Sequence, residues 1–156
     1  MREILFRGKT KDTNWWIEGY YAIESNHACF RGELKHTHFI FKDEFMDWGI
    51  GGLVQYEVIP ETVGQYTGLT DKNGKKIFEG DIVKVQDDVY GSPFCDGITG
   101  QVVYDETAFF IKPHNHMESQ WLFNECAVYE IIGNIHDNPE LLKGGESNVK
   151  TNLYSF

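Results

Sequence analysis

Residues 71–85 carry the strongest local signals for the fold, and they read Asp71-Lys72-Asn73-Gly74-Lys75-Lys76-Ile77-Phe78-Glu79-Gly80-Asp81-Ile82-Val83-Lys84-Val85. An Asn-Gly pair between residues that can extend is the strongest short-range signal for a hairpin turn. The Glu-Gly-Asp triplet supplies a second turn, because glycine and aspartate favour chain reversal. The β-branched run at the end follows as a strand, with Lys84 pointing outward. The segment therefore predicts a hairpin, a third strand and a β-rich fold.

Short apolar runs separated by polar turns continue towards the carboxyl terminus. They predict strands at residues 82–85, 100–104, 109–112, 121–123 and 129–133, with a turn at Asp105-Glu106-Thr107. Such strands bury their apolar faces economically in a small closed or nearly closed barrel of the SH3-like type, since closure removes exposed edges. We therefore expect residues 61–135 to form one compact β unit. The residues expected in its core or on the flanking strand faces are Ile82, Val83, Val85, Val102, Val103 and Ile111.

The amino-terminal part of the chain shows the same pattern of short apolar and aromatic runs. It predicts strands at residues 4–7, 15–23, 28–31 and 38–42. In the second of these strands, apolar residues occur in both alternating sets, which favours a strand that is partly covered on both faces. Residues 48–53 include three glycines and are expected to form an irregular connector, because glycine weakens a strand ladder.

The fold class is mainly β, either all-β or α+β with minimal helix, because hardly any stretch keeps a helical period. The chain is expected to divide into an N-terminal β-rich subdomain at residues 1–60 and a barrel-like unit at residues 61–143. Its clearest helix is brief: Asn138 can cap it, Pro139 suits the first position and Gly144 can end it. Residues 144–156 are expected to form a flexible tail.

Charge and composition limit the functions that we expect. The 156 residues are 41% hydrophobic and 15% aromatic, far from the composition of a disordered chain. The formal net charge of −10 opposes a phosphate backbone, so direct binding to nucleic acid is not expected. No apolar stretch approaches the roughly 20 residues of a membrane span, and the first eight residues lack the apolar core of a signal peptide. We expect a cytoplasmic protein without a membrane partner.

The cysteines are expected to be reduced thiols. Cys29, Cys95 and Cys126 are odd in number and widely spaced, and no Cys-x-x-Cys pair suggests zinc binding or redox chemistry. A reducing compartment leaves such cysteines unpaired.

Two His-x-His pairs are the main candidates for metal binding. On a strand, this spacing places both rings on one face, where they can chelate a transition metal. A zinc site takes three or four protein ligands. The candidate pairs are His36/His38 and His114/His116, and the further ligands would have to come from Cys29, Cys126, Glu118 or another chain. Because each pair supplies only two ligands, solvated histidines are the simpler interpretation, and no metal site or cofactor is assigned.

Motifs for catalysis are also missing from the sequence. The adjacent acids Asp87/Asp88 and Asp105/Glu106 are expected to diverge into water, because neighbouring residues in an extended chain point to opposite sides. The sequence contains neither a Gly-x-Ser-x-Gly elbow nor a P-loop. No catalytic residue is assigned.

Aromatic residues are the more informative excess, since protein interfaces favour them. Five lie close together in the first part of the chain: Trp15, Trp16, Tyr20, Tyr21 and Phe30. Most of them are expected to belong to an internal core, but a small β unit has limited interior volume, so some are expected to remain exposed and to mark a contact with a second copy or another protein. Self-association is expected through residues 15–21 and the aromatic terminus at 154–156.

Three blocks of the sequence resemble the YopX family, in order and over residues 1–142. The central block is the most specific and reads Glu61-Thr62-Val63-Gly64-Gln65-Tyr66-Thr67-Gly68-Leu69-Thr70-Asp71-Lys72-Asn73-Gly74-Lys75-Lys76-Ile77-Phe78-Glu79-Gly80-Asp81-Ile82-Val83-Lys84. The first block reads Arg2-Glu3-Ile4-Leu5-Phe6-Arg7. The closing block reads Tyr129-Glu130-Ile131-Ile132-Gly133-Asn134-Ile135-His136-Asp137-Asn138-Pro139-Glu140-Leu141-Leu142.

The resemblance implies a mostly β protein from a bacteriophage, a prophage or a bacterial host, without an established activity or catalytic residues. We expect a non-enzymatic accessory protein that acts through self-association or through binding to a bacterial host protein. The alternative is a metal-dependent hydrolase that uses one His-x-His pair with an acid such as Glu118. A third reading, an acidic mimic of DNA, rests on net charge alone.

Overall fold

A computed structural model describes residues 3–27, 34–46, 50–87, 97–113, 118–123 and 127–142. Strands take up 67% of these residues and short 3₁₀ helices take up 6%, so the mainly β fold class is confirmed. The strands are β1 (Phe6–Lys9), β2 (Trp16–His27), β3 (Leu34–Met46), β4 (Ile50–Glu57), β5 (Gly64–Thr70), β6 (Lys76–Phe78), β7 (Asp81–Asp87), β8 (Thr99–Asp105), β9 (Ala108–Pro113), β10 (Gln120–Trp121) and β11 (Ala127–Asn134). The 3₁₀ helices are Pro60–Thr62 and Pro139–Leu142.

The strands form two antiparallel sheets. The first sheet has the order β4-β3-β2-β1-β5-β6 and the second has the order β10-β9-β8-β7-β11. Neither sheet closes on itself within the described residues, so the SH3-like barrel is not confirmed. The β5–β6 hairpin belongs to the first sheet, where β5 pairs with β1 and β6 is the edge strand, so it adds no strand to the second sheet.

The first sheet spans both sides of Pro60, where the sequence suggests a division. Phe6 lies opposite Gln65, and Arg7 lies opposite Gly64. The backbone N–H of Tyr66 donates to the carbonyl of Leu5 over 2.8 Å. The two parts of the chain are therefore joined by strand pairing as well as by the covalent connection.

The main core lies between the β5–β6 hairpin and one face of the second sheet. Its buried cluster consists of Ile77, Val83, Val85, Val102, Phe109, Ile111, Leu122 and Tyr129. Five of the six residues expected in the core or on strand faces are buried, including Ile82 outside this cluster. The sixth, Val103, is half-buried because it points to the opposite face of β8 from Val102.

The hairpin at Asn73-Gly74 is confirmed, although its turn differs from the two-residue type I′ turn. Only Gly74 has a positive φ, of 80°, and its N–H donates to the carbonyl of Asp71 over 2.9 Å. The Asp71 carboxylate also accepts hydrogen bonds from the N–H groups of Asn73 and Lys75, over 2.8 and 2.9 Å. This is the pattern of a three-residue loop, in which one glycine takes the left-handed conformation.

Three further local expectations have mixed outcomes. The connector expected at residues 48–53 is wrong for residues 50–53, which pair with residues 43–46 of β3 and form the start of β4. Residues 48 and 49 lie outside the described residues. The helix expected after Asn138 is present as the 3₁₀ helix Pro139–Leu142. The strand expected at residues 28–31 lies outside the described residues. No helix within the described ranges has the length and apolar character needed to cross a membrane.

Candidate functional site

Strand β3 places aromatic side chains on one face of the first sheet. Because alternate residues of a strand share a face, Phe39, Phe41 and Phe45 point to the same side. Strand pairing adds Tyr20 of β2 opposite Phe41, and Leu53 of β4 opposite Asp43. We call the set Tyr20, Phe39, Phe41, Phe45 and Leu53 the aromatic face.

The aromatic face is open to solvent. Phe45 is 90% exposed, Leu53 59% and Tyr20 53%, whereas Phe39 and Phe41 are half-buried. Single exposed apolar residues are ordinary, but here several share one face of three paired strands, with Asp43 between Phe41 and Phe45. A surface of this kind usually marks a site of protein contact.

The charged groups around the aromatic face are mostly acidic. Glu24 and Asp43 lie on the same face of the sheet and make no ion pair with any described residue. Glu57, opposite Phe39, pairs with Lys11 over 2.5 Å. The surface therefore combines apolar area with uncompensated negative charge.

The side chains on the opposite face of the same strands are better partnered by packing and hydrogen bonds. Ile40 is fully buried there, and the ring of Tyr21 packs at 5.1 Å from the ring of Phe6. The Tyr56 hydroxyl donates to Glu44 over 3.0 Å, and the Lys42 ammonium, together with this hydroxyl, lowers the pKa of Glu44. The two faces of the sheet therefore differ in how completely their groups are partnered.

A second feature, which we call the junction cleft, lies where the two sheets meet. Arg7 of β1 points from the first sheet to Asp81 at the start of β7, with 2.7 Å between Nη2 and Oδ1. The guanidinium carbon lies over two rings, 4.7 Å from the centroid of Trp16 and 5.0 Å from that of Phe78. Asp81 also accepts a hydrogen bond from the N–H of Phe78 over 2.8 Å. Burial raises the pKa of Asp81, and the charge of Arg7 opposes that rise.

Asp137 anchors the other side of the junction cleft. It accepts hydrogen bonds from the Lys9 ammonium, from the Trp16 indole over 2.7 Å and from the Asn134 amide over 2.9 Å. Lys9 is the main reason that the pKa of Asp137 lies well below its ordinary value of 3.8. Gly133 allows the chain to pack closely here, since a Cβ at this position would lie 2.7 Å from Asn138 Oδ1.

The junction cleft has a volume of about 350 Å³. Its walls include Arg7, Trp16, Glu18, Lys75, Asp81 and Asp137. Glu18 and Tyr20 are two residues apart on β2 and therefore share a face, so the cleft lies at one end of the aromatic face. Four of these charged residues come from the three sequence blocks that resemble the YopX family: Arg7, Lys75, Asp81 and Asp137. Glu18 lies between the first two blocks.

Only one of the candidate metal pairs lies within the described residues. His36 and His38 share a face of β3 as expected, but each ring contacts a hydroxyl of β2: His36 that of Ser25 over 3.0 Å, and His38 that of Tyr21. No group of three or more His, Cys, Asp or Glu side chains suited to a metal occurs in the part of the chain that the structure describes. His114, His116, Cys29 and Cys126 lie outside it, whereas Glu118 is exposed.

The remaining candidates are spread over the fold. Asp105 is the last residue of β8, and Glu106 follows it in the turn before β9; both are exposed. Asp87 ends β7, and Asp88 lies outside the described residues. Trp15 is 75% exposed, whereas Phe30, Cys95 and residues 154–156 lie outside the description.

Sequence reasoning missed most of the aromatic face and the whole junction cleft. The alternation of Phe39, Phe41 and Phe45 was a usable signal for a one-sided aromatic strand. The pairing of Arg7 with Asp81 had no comparable signal, because it depends on the meeting of two sheets.

Comparisons with known proteins identify the family. The model of the YopX protein family matches residues 5–143, and the chain belongs to this family. Among solved structures, protein EF1440 from Enterococcus faecalis is similar, with 24% sequence identity and a TM-score of 0.52 over 91% of this chain and 99% of that chain. At this identity the similarity shows the fold alone. No curated protein matches the chain.

Proposed function

We propose that this chain is a non-catalytic phage or prophage accessory protein that binds a bacterial host protein in the cytoplasm. The observation that carries the proposal is the aromatic face, where exposed Phe45, Leu53 and Tyr20 lie on adjacent strands. Membership of the YopX family is consistent with an accessory role. Buried aromatic anchors supply most of the affinity in many protein interfaces, and these residues are available for that purpose.

The charges around the aromatic face favour a basic partner over a second copy of this chain. Two copies that met through this face would bring Glu24 and Asp43 of each together, and like charges disfavour such a contact. The net charge of −10 adds to the repulsion at longer range. A partner with apolar residues surrounded by Lys or Arg would complement both the apolar area and the charge.

Binding can be tested with a pair of matched variants. Phe45→Ser combined with Leu53→Ser removes the two most exposed side chains of the aromatic face. Phe123 lies beside β10 and is 50% exposed. Phe123→Ser removes a similar apolar group outside the aromatic face and serves as the control. Each protein is immobilised and exposed to extract from the bacterial host, and proteins retained by the wild type are then titrated in purified form.

The proposal predicts a basic protein that binds the wild type and the control but loses at least about tenfold in affinity for the double variant, since truncation of a hot-spot residue costs about 1.4 kcal/mol or more. Affinity should also fall with salt and in Glu24→Gln/Asp43→Asn. Equal binding by the double variant would refute the proposal. Light scattering at micromolar concentration tests the competing self-association: a dimer that the double variant abolishes would assign the aromatic face to a second copy instead.

A further inference from the structure

Strand β4 forms one edge of the first sheet, with no further strand beside it among the described residues. Its inner side pairs with β3 without a register shift. Proteins usually protect an exposed sheet edge with lysine, proline, a bulge or a very short strand. The eight residues of β4 read Ile-Gly-Gly-Leu-Val-Gln-Tyr-Glu and include neither lysine nor proline. This edge therefore lacks the usual protection against pairing with another strand.

Hydrogen bonds at the end of β4 show which backbone groups face outward. The N–H of Val58, just beyond the strand, donates to the carbonyl of His38 over 2.9 Å. The carbonyl of the preceding residue, Glu57, points to the other side and accepts from the N–H of Lys11, also over 2.9 Å. Hydrogen-bonded and non-hydrogen-bonded pairs alternate along an antiparallel ladder, so the same alternation continues back along β4.

The alternation leaves a row of backbone groups on the open side of β4. Residues 52, 54 and 56 direct their N–H and carbonyl groups towards β3. The intervening residues direct theirs away from β3, and no described residue pairs with them: these are Gly51, Leu53 and Gln55. An added antiparallel strand would pair there, beside the contact that the chain itself makes at Glu57.

Alternate side chains of an added strand would reach the aromatic face. Gly51, Leu53 and Gln55 lie on the same side of the sheet as Phe41 and Phe45, and residues opposite them in a new ladder would share that side. A Cβ at Gly51 would lie 4.0 Å from Phe45 Cε1. A large apolar residue opposite Gly51 would therefore cover the glycine and contact the ring of Phe45, which is 90% exposed.

The charges near this edge favour a basic segment. Strand β4 contains no cation, and Asp43 lies opposite Leu53 without an ion pair to any described residue. A second copy of this chain, with its net charge of −10, would bring the same acidic edge against itself. An extended segment that carries apolar and basic residues on one face complements both the apolar area and the charge.

We propose that the open edge of β4 takes up an extended segment of the basic host protein as an added strand, through the backbone groups of Gly51, Leu53 and Gln55. This inference rests on the function proposed above, since it names how that partner binds. Addition of a strand to a sheet edge is a recurring mode of peptide recognition, in which main-chain hydrogen bonds give affinity and alternate side chains give specificity. The edge supplies the hydrogen bonds, and the aromatic face supplies the side-chain contacts.

The test is an NMR titration of the full chain with the capped peptide Lys-Thr-Phe-Thr-Lys-Thr-Phe-Thr-Lys. In an extended strand its Lys and Phe residues share one face, so the central Lys falls opposite Leu53 and the Phe residues fall opposite Gly51 and Gln55. We expect saturable binding with slowed hydrogen exchange at the N–H groups of these three protein residues. The N–H groups of residues 52, 54 and 56 should be protected before the peptide is added.

A matched pair of variants isolates the backbone contact. Gln55→Pro removes an N–H that faces away from β3, and an edge strand tolerates proline at such a position. Gln55→Ala removes the same side chain but keeps the N–H. Gln55→Pro should bind the peptide about tenfold more weakly than Gln55→Ala does, since it loses a hydrogen bond and adds a ring at the contact. Equal binding by the two variants would overturn the proposal.

Two modified peptides repeat the test on the wild-type protein, so that it does not depend on how any variant folds. N-methylation of both Phe residues blocks their hydrogen bonds to β4 and should abolish saturable binding; equal binding of this peptide would overturn strand addition. A version with Glu in place of Lys should bind at least about tenfold more weakly, and equal binding would overturn the choice of a basic segment.

The remaining outcomes also decide the proposal. Absence of saturable binding by the unmodified peptide would overturn the site. Protection of the N–H groups of residues 51, 53 and 55 that grows with protein concentration, without peptide, would assign the edge to a second copy. Because the peptide test needs no host protein, its failure is distinct from a failure of the proposed function, which is judged by the Phe45→Ser/Leu53→Ser variant.

Discussion

Removing one partner of the buried ion pair between Arg7 and Asp81 should destabilise the protein far more than removing one partner of an exposed pair. Asp81→Asn keeps an oxygen that can accept from the N–H of Phe78, but it leaves the guanidinium without a counter-charge. The side chains of Arg7 and Asp81 are only 10% and 1% exposed. Removal of one partner from such a pair costs about 3–5 kcal/mol, because the other charge stays buried and uncompensated.

The exposed pair of Lys11 and Glu57 provides the control. Its side chains are 62% and 43% exposed, so Glu57→Gln should cost no more than about 1 kcal/mol. Urea unfolding at pH 7, followed by fluorescence and circular dichroism, gives both values. A domain of this size is stable by only about 5–15 kcal/mol, so the larger loss will be plain in the unfolding midpoint.

A double-mutant cycle separates the pair from its surroundings. Arg7→Met combined with Asp81→Asn removes both charges, and the double variant should be less destabilised than the sum of the single ones by about 2 kcal/mol or more. The reasoning is refuted if Asp81→Asn costs no more than Glu57→Gln, or if the two single losses simply add.

Three further outcomes are expected. Gly74→Val should destabilise the chain by about 1–2 kcal/mol in the same urea assay, because φ is positive there and a β-branched residue resists that conformation. The space around Gly52 on β4 is equally open but its φ is not positive, so Gly52→Ala should change stability less; equal losses would contradict this. The depressed pKa of Asp137 stabilises the fold above pH 3.8, and that contribution is lost as the pH falls towards the lower folded value, so Asp137→Asn should flatten the decline of stability below about pH 4; an unchanged acid slope would refute it. Thiol titration of denatured, unreduced protein should find all three cysteines free, and a disulfide would contradict the proposed cytoplasmic location.

Local signals predicted local structure well. The Asn73-Gly74 hairpin, the turn at residues 105–107 and the strands of the second sheet all follow from turn chemistry and β-branched runs over a few residues. The type of the hairpin turn depended on the Asp71 carboxylate, whose hydrogen bonds to Asn73 and Lys75 stabilise the longer loop.

Long-range pairing could not be predicted in the same way. The barrel expected for residues 61–135 is not confirmed, because β5 pairs with β1 of the first sheet. That pairing depends on residues outside 61–135. Gly51 and Gly52 led to the prediction of an irregular connector at the start of β4, whereas pairing with the longer β3 gives these residues a strand conformation.

The candidate site was predictable only in part. The exposed Tyr20 belongs to the aromatic cluster that the sequence singled out, but its neighbours Phe41 and Leu53 join it through strand register across three strands. Arg7 and Asp81 each look like ordinary charged residues beside a turn or at a terminus. The contact of Arg7 with Trp16 and its ion pair with Asp81 form only once the two sheets meet.

The most direct test of the proposed function is photo-crosslinking from the aromatic face inside the bacterial host. The photoreactive amino acid p-benzoylphenylalanine replaces Phe45 in one protein and Phe123 in a control, and the crosslinked products are identified by mass spectrometry. The account predicts that position 45 attaches a basic host protein to the 18.0 kDa chain and that position 123 does not. A product of two copies of the chain from position 45, or the same host protein from both positions, would contradict it.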